Sequence, residues 1–263
     1  MTGQETRGTL YLVPNLLGVV PPEAVLPAGT LAVARRLRHF VVENAKPARQ
    51  FLKSLTLDVP VATLRIIVLP QPLQLQSCAD LLAPLRRGED VGLLSDAGCP
   101  GVADPGAALV AAAHRAGIRV VPLVGASALL LGLMASGFNG QSFRFNGYLP
   151  VASAQRVLRL RALDDEIAHT GCTQLFIETP YRNQAMLDAI LATCRNVTEL
   201  CIAVDLTLPT EWISSAAIAR WRQQSIPSLA KRPALFLLGR SDGLTSDGLT
   251  SDGLIADGLT AIR

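Results

Sequence analysis

The chain has 263 residues, of which 49% are hydrophobic and 17% charged, with a formal net charge of +3. Such a chain can bury a large core, as one big domain or two modest ones, and the balance excludes a disordered or fibrous protein. The small charge does not establish nucleic-acid binding. The basic side is nevertheless almost all arginine, with lysine only at Lys46, Lys53 and Lys231, and arginine forks suit phosphate or carboxylate partners.

Cys78, Cys99, Cys172, Cys194 and Cys201 form neither a CxxC pair nor an even disulfide set, so they read as reduced, mostly buried thiols. His39, His114 and His169 stand singly, and no metal site is expected. The N-terminal residues show no charged-then-apolar leader, and the apolar run near 126–135 is too short and glycine-broken to span a bilayer. A cytoplasmic protein without a membrane partner is the expectation.

In chain order, 8–13 (GTLYLV) is a short β-rich run stopped by Pro14 and Asn15, the pattern of a buried strand feeding a loop. Similar runs follow at 37–42 and 61–68, then at 91–95 before a loop rich in Gly and Pro. Helical spacing runs from Ala103 to Ala116 and is closed by Gly117. A strand at 119–123 and a small-residue helix at 126–135 come next. Alternating strand, loop and helix predicts a parallel α/β sheet, whose ligands bind beyond the carboxyl ends of the strands.

A strand at 143–148 leads through Leu149-Pro150 into an arginine-rich helix at 153–169. This places the boundary near 149–152, with an N-terminal α/β domain over 1–150 carrying glycine-rich loops and a C-terminal α/β domain over 151–240. The second half predicts strands at 173–178, 199–205 and 233–238, an edge segment at 208–214, and helices at 183–195 and 215–224. From 241 to 263 the chain carries Ser-Asp-Gly-Leu-Thr repeats. A period of five suits neither helix nor strand, so a disordered tail is expected.

The stretch 95–106 (SDAGCPGVADPG) leaves a strand and enters a helix. Its glycines and prolines let backbone approach a ligand closely, while a plain strand-to-helix turn with Asp104 as N-cap is the competing reading. A second loop, Val124-Gly125-Ala126-Ser127-Ala128, again opens a helix after a strand. Neither is a phosphate loop nor a dinucleotide fingerprint. Two such loops at strand ends would line one crevice.

The ordered set GTLYLVP (8–14), SDAGCPGVADPG (95–106), VGASALLLGLMASGF (124–138), FNGYLP (145–150) and LFIETPYR (175–182) resembles the ribosomal RNA small subunit methyltransferase I group of the tetrapyrrole-methylase superfamily. The likeness spans 8 to about 239 and is that of a divergent paralogue. It implies a homodimer of two α/β domains with S-adenosylmethionine in the cleft between them. By motif matching it implies cofactor contacts at Pro14, Gly98, Cys99, Val102, Ala103, Ser127 and Ala128, with Glu178, Ala203 and Ala234 nearby. Ser127 also reads as a helix N-cap.

The chain departs from that group in four places. Glu43-Asn44-Ala45-Lys46 stands where the group has a Glu-Asp-Thr-Arg stretch, and the loop at 14–18 lacks its Gly-Asn-Leu continuation and nearby aspartate. Ala126 replaces a proline and Tyr181 a histidine.

Methyl transfer from a sulfonium is an in-line displacement that needs alignment and exclusion of water. Glu43 is the first candidate for taking or holding the acceptor's proton, against a carboxylate paired with Lys46 or Arg49. Asp96 is the second, against a turn-forming aspartate. Arg182 is a candidate catalytic clamp on phosphate, against a pair with Glu178. Arg35, Arg36 and Arg38 could touch RNA backbone or form a solvated face. Trp212 and Trp221 read as core residues, and nothing near Cys99 makes it a nucleophile. The resemblance implies ribose 2′-O-methylation of small-subunit ribosomal RNA. The alternatives are a small-molecule, tetrapyrrole-like methylase and a non-catalytic cofactor-binding regulator.

Overall fold

The computed structural model describes residues 7–240; the repeats expected to be disordered at 241–263 lie outside them. Contacts divide the chain into two compact units. The first draws its described residues from Met1–Gly132, Ala203–Trp212 and Lys231–Leu235, and the second from Leu133–Ile202, Ile213–Ala230 and Phe236–Arg263.

The first unit is built on β1 (Thr9–Val13), β2 (His39–Val42), β3 (Arg65–Val68), β4 (Val91–Leu94) and β5 (Arg119–Pro122), in the order β3-β2-β4-β1-β5. All four neighbouring pairs are parallel. Central β4 is buried at every residue, whereas edge strands β3 and β5 are exposed at both ends, as a sheet covered on both faces requires.

The covering helices are α1 (Ala28–Arg36), α2 (Ala45–Ser54), α3 (Leu75–Arg86) and α4 (Ala107–Arg115). Side chains alternate across the strands and sort the core into two layers. Val13, Phe40, Val42 and Leu94 pack with Leu31 and Ala34 of α1 and Ala48, Phe51 and Leu52 of α2. Leu10, Val41, Val91 and Leu93 pack with Leu81, Leu82 and Leu85 of α3 and Leu109 and Ala113 of α4. The chain therefore leaves β1 and β4, which are neighbours, toward opposite faces and opposite edges of the sheet. A crevice opens beyond the ends of such a strand pair.

Helices α1, α2 and α3 were not foreseen. Gly29 and Thr30 break the pattern of α1, Pro47 sits in the first turn of α2, and Pro84 lies inside α3. Helix α4 starts at Ala107 rather than 103, because Ala103 (φ 64°) and Gly106 (φ 135°) are not helical. Its N-cap is Gly106, not Asp104.

The second unit holds the end of α5 (Ala128–Ser136), then β6 (Phe143–Tyr148), α6 (Ser153–Thr170), β7 (Thr173–Glu178), α7 (Asn183–Thr193), β8 (Glu199–Val204) as far as Ile202, β9 (Trp212–Ala217) from Ile213, α8 (Ile218–Trp221) and β10 (Ala234–Gly239) from Phe236. Its sheet runs β6-β7-β10-β8-β9. The boundary expected near 149–152 falls just after β6, which pairs in parallel with β7. Phe176 and Phe236 stack at 5.8 Å between centroids, and Trp221 is buried with its indole N–H donating to the Leu200 carbonyl at 2.8 Å. Buried Asp164 of α6 accepts from the Arg195 Nε (2.8 Å), its backbone N–H (3.1 Å) and the Thr198 hydroxyl, which pins the turn before β8. The edge segment and helix expected at 208–214 and 215–224 resolve into β9 and the single turn of α8. Pairing beside β8 overrides the weak helix preference of Ile213-Ser214-Ser215.

Phe40 faces Gly92 across the β2–β4 ladder, and a Cβ on Gly92 would stand 2.9 Å from the ring. The glycine is there so that the ring can lie against the neighbouring strand. Phe40→Ala empties that space, and urea unfolding is expected to show a loss of about 3–5 kcal/mol.

Candidate functional site

The parallel sheet sends the ends of β2, β4, β1 and β5 to the same side, and four loops leave there. Asn15, buried just past β1, joins two of them. Its backbone N–H donates to the Gly98 carbonyl at 2.9 Å, and its side-chain amide donates to the Ser95 and Asp96 carbonyls at 3.0 and 2.9 Å. Its Oδ1 accepts from the Leu16 N–H at 2.8 Å, so the whole amide is used.

The loop after β5 joins the same assembly. The Cys99 thiol donates to the Ala126 carbonyl at 3.5 Å, and the Thr30 hydroxyl holds the Val124 carbonyl at 2.7 Å. Gly125 lies so close to Pro14 that a Cβ would sit 2.3 Å from the ring Cγ. Gly98 adopts φ 65°, a conformation that favours glycine. The turns at 95–106 and 124–128 thus meet in space. Pro14, Gly98 and Cys99 lie in this assembly, and Ser127 caps α5 through its carbonyl, which accepts from the Leu131 N–H at 3.0 Å. Val102 and Ala103 are exposed on the outer part of the second loop, with Ala103 at φ 64°.

A second chain segment borders the first loop: a Cβ on Gly18 would meet Leu208 Cδ2 at 2.6 Å. In that segment Asp205 (φ 51°) accepts from the Thr210 hydroxyl at 2.8 Å and from Arg232 Nε at 2.7 Å. Ala203 and Ala234, both buried, precede and follow it within the first unit.

Three carboxylates gather at the same strand ends. Glu43 Oε2 accepts the Asp96 backbone N–H at 3.2 Å, and Asp96 Oδ2 accepts the Asn44 side-chain amide at 2.8 Å. No ion pair links Glu43 to Lys46 or Arg49 among the described residues. Burial, and then the Glu43 charge, raise the Asp104 carboxyl to about 6, with Asp96 adding a further push. The Ser95 hydroxyl partly offsets this. The Ser95 side chain is buried. No group of three or more His, Cys, Asp or Glu among the described residues is arranged to hold a metal ion, the acidic trio included. Burial raises the Cys99 thiol, which keeps it protonated.

Glu178 and Arg182 belong to the second unit. Glu178, buried at the end of β7, accepts through Oε1 from the Thr179 N–H at 2.6 Å and from Arg182 Nε at 3.0 Å, while its Oε2 is buried without a partner. Arg182 also reaches the Thr179 hydroxyl at 3.2 Å. The basic cluster is likewise engaged within the chain: Arg35 with Glu23 at 2.6 Å, Arg36 with the Tyr11 hydroxyl at 2.6 Å, and Arg38 with Asp58 at 2.9 Å. His39 meets Glu89 at 2.8 Å.

No family model matches the chain. It is 37% identical over 200 residues to ribosomal RNA small subunit methyltransferase I of Micromonospora olivasterospora, covering 73% of this chain and 60% of that protein. It is 30% identical over 217 residues to the protein of the same name from Escherichia coli O157:H7, covering 82% of this chain and 72% of the relative. The chain belongs to the ribosomal RNA small subunit methyltransferase I family. The first of these matches spans less than two thirds of the relative's length. In fold, the chain is similar to the uroporphyrin-III-C-methyltransferase of Thermus thermophilus, with a TM-score of 0.52 at 22% identity over 94% of this chain and 99% of that one. The α/β architecture with two sheets is therefore that of the tetrapyrrole methylases.

Within this family the departure at 43–46 acquires a physical meaning. Asn44 donates to Asp96, which an aspartate at the same place could not do. It would instead add a fourth carboxylate to the three already there. Asn15 and Asp104 were the site residues that sequence reasoning did not single out. Their one signal was position, a side chain just past a strand end.

Two outcomes follow from this geometry. Gly125→Ala drives a Cβ into the Pro14 ring, so the two loops must part; urea unfolding is expected to show a loss of about 1–3 kcal/mol. Asp104 has a carboxyl raised above its unfolded value, so the native state holds the proton more tightly and stability falls as pH rises from about 4 to about 6. Asp104→Asn removes that cost. Thermal unfolding at pH 8 is expected to show a gain of about 1 kcal/mol once the half-exposed position is allowed for.

Proposed function

We propose that the protein is an S-adenosylmethionine-dependent methyltransferase that methylates a ribose 2′-hydroxyl of small-subunit ribosomal RNA in the cytoplasm. The observation that carries this reading is the hydrogen-bonded convergence of the loops after β1, β4 and β5 beside three carboxylates. Backbone that close to a ligand suits a nucleoside, and clustered negative charge suits a sulfonium cation. The family supplies the substrate: its members named above are called ribosomal RNA small subunit methyltransferases.

When bound, S-adenosylmethionine supplies an electrophilic methyl group. Pro14, Gly98, Cys99, Val102, Ala103, Ser127 and Ala128 would hold it, joined by Ala203 and Ala234. Glu43 holds the 95–106 loop in place through the Asp96 N–H. Arg182, aimed by Glu178, would contact the phosphate backbone of the acceptor. Alignment and exclusion of water then do most of the catalytic work.

The protein acts in this reading as a homodimer. Helix α5 is apolar all round its circumference, yet Leu130 and Met134 are 54% and 80% exposed. A helix of that kind is expected to be covered. Leu130→Glu with Met134→Glu should convert a dimer to a monomer in sedimentation equilibrium.

Titration with S-adenosylmethionine should give measurable heat. Mass spectrometry of ribosomal RNA nucleosides should show one ribose methyl missing when the gene is deleted and restored when it returns. Heat without any change in RNA favours a small-molecule acceptor, which the fold likeness to a uroporphyrin methyltransferase keeps open. Absence of heat refutes the reading and leaves a regulatory role.

A further inference from the structure

Strands β6 and β7 run side by side in parallel at the edge of the second sheet, so both send their carboxyl ends to the same side. A bulge alters what β6 delivers there. Phe145 pairs with Leu175, and an unbroken register would set Gly147 opposite Ile177. Tyr148 stands there instead, with Gly147 taken up in the bulge at φ 65°. Tyr148 is 57% exposed, and Tyr181, in the turn that follows β7, is 83% exposed. Two of the chain's three tyrosines therefore face solvent at one corner of this sheet.

The corner is also cationic. From 105 to 163 the sequence holds no Asp or Glu. Arg156, in the first turn of α6, donates through Nη1 to the Val151 carbonyl just past β6 at 3.1 Å, which keeps its guanidinium at the same strand end. Arg182 gives Nε and Nη2 to Glu178 and leaves Nη1 with no partner among the described residues. Glu178 is neutralised by that pair, yet its Oε2, in a side chain only 1% exposed, lacks a donor. A buried acceptor in that state costs stability until a bound group with N–H or O–H hydrogens completes it.

We propose that this corner docks a single-stranded segment of RNA, its bases stacked on Tyr148 and Tyr181 and its phosphates held by Arg156 and Arg182; this deepens the ribosomal RNA reading above and rests on it. Every base has a π-face, so stacking on tyrosine tolerates any sequence. A duplex keeps its bases stacked on one another and cannot offer those faces, so the corner selects unpaired strand. The arginines supply the countercharge that the backbone requires. A second copy of this chain meeting the same corner would instead bring like charges together.

Fluorescence anisotropy on the full chain, with an unpaired RNA oligonucleotide and with a duplex of the same sequence, tests this. It is read beside calorimetry with S-adenosylmethionine, thermal unfolding, and methyl-transfer kinetics on undermethylated small ribosomal subunits. The parent should prefer the unpaired strand. Tyr148→Ala and Tyr181→Ala should each weaken that binding about fivefold or more, with Tyr181→Phe within about twofold of the parent. Arg156→Gln should lower the slope of log affinity against log salt by about one. On ribosomal subunits the tyrosine variants should raise KM and leave kcat in place. Melting temperature and cofactor affinity should stay at parental values, because both rings lie largely in solvent. Alanine variants that bind the unpaired strand as the parent does, or a parent that prefers the duplex, overturn the proposal and leave methyl transfer standing. Variants that fall from dimer to monomer in sedimentation equilibrium also overturn it and give the corner to a second copy. Tyrosine-dependent binding of unpaired RNA by a protein that methylates no RNA overturns the ribosomal methylation reading and leaves the docking corner standing.

Discussion

The side-chain amide of Asn15 does in one residue what the rest of the site requires. Loops at the ends of parallel strands diverge by default, because each must turn back toward a helix on one face or the other. Asn15 holds the first loop to the second through the carbonyls of Ser95, Asp96 and Gly98, while its Oδ1 accepts the Leu16 N–H within the first loop. It is buried, so an unmade bond there would leave a desolvated polar group. That cost makes the bridge specific, and the contact of Gly125 with Pro14 brings the third loop onto the same frame.

Sheet topology makes this bridge possible. Strands β1 and β4 are neighbours, but α1 and α4, which follow them, pack on opposite faces. Space is left beyond their ends because neither helix closes over it. Carboxylates gathered at such ends repel one another, and Glu43 and Asp96 both raise the proton affinity of Asp104. A site of this kind holds excess negative charge at a cost in stability, a pattern common where function and stability compete. In the function proposed above, a sulfonium cation bound there would relieve that cost.

The strands and the two glycine loops were legible because they rest on local patterns. Short apolar runs stopped by Pro, Asn or Gly announced β1, β4 and β5, and the helix–glycine ending announced α4. Three helices were not legible. Their local signals conflict with their structure: Pro47 and Pro84 read as breakers, and Gly29 weakens α1. Each is stabilised by burying a stripe against the sheet, which a single-segment reading cannot weigh. The turn of α8 failed the opposite way, since a sequence tolerable as helix was taken up as an edge strand beside β8.

By itself the sequence determined the α/β class, the positions of the strand-end glycine loops and the family, because strand-end glycines, their spacing and their order are written along the chain. Only the tertiary structure decided what each carboxylate meets. Glu43 and Asp96 looked like the candidates, yet each is claimed by a partner 53 or 52 residues away, while Asp104, which looked like a helix cap, is left with a raised proton affinity. Hydrogen-bond partners and burial come from segments distant in the chain, and a local reading of residue types has no access to either.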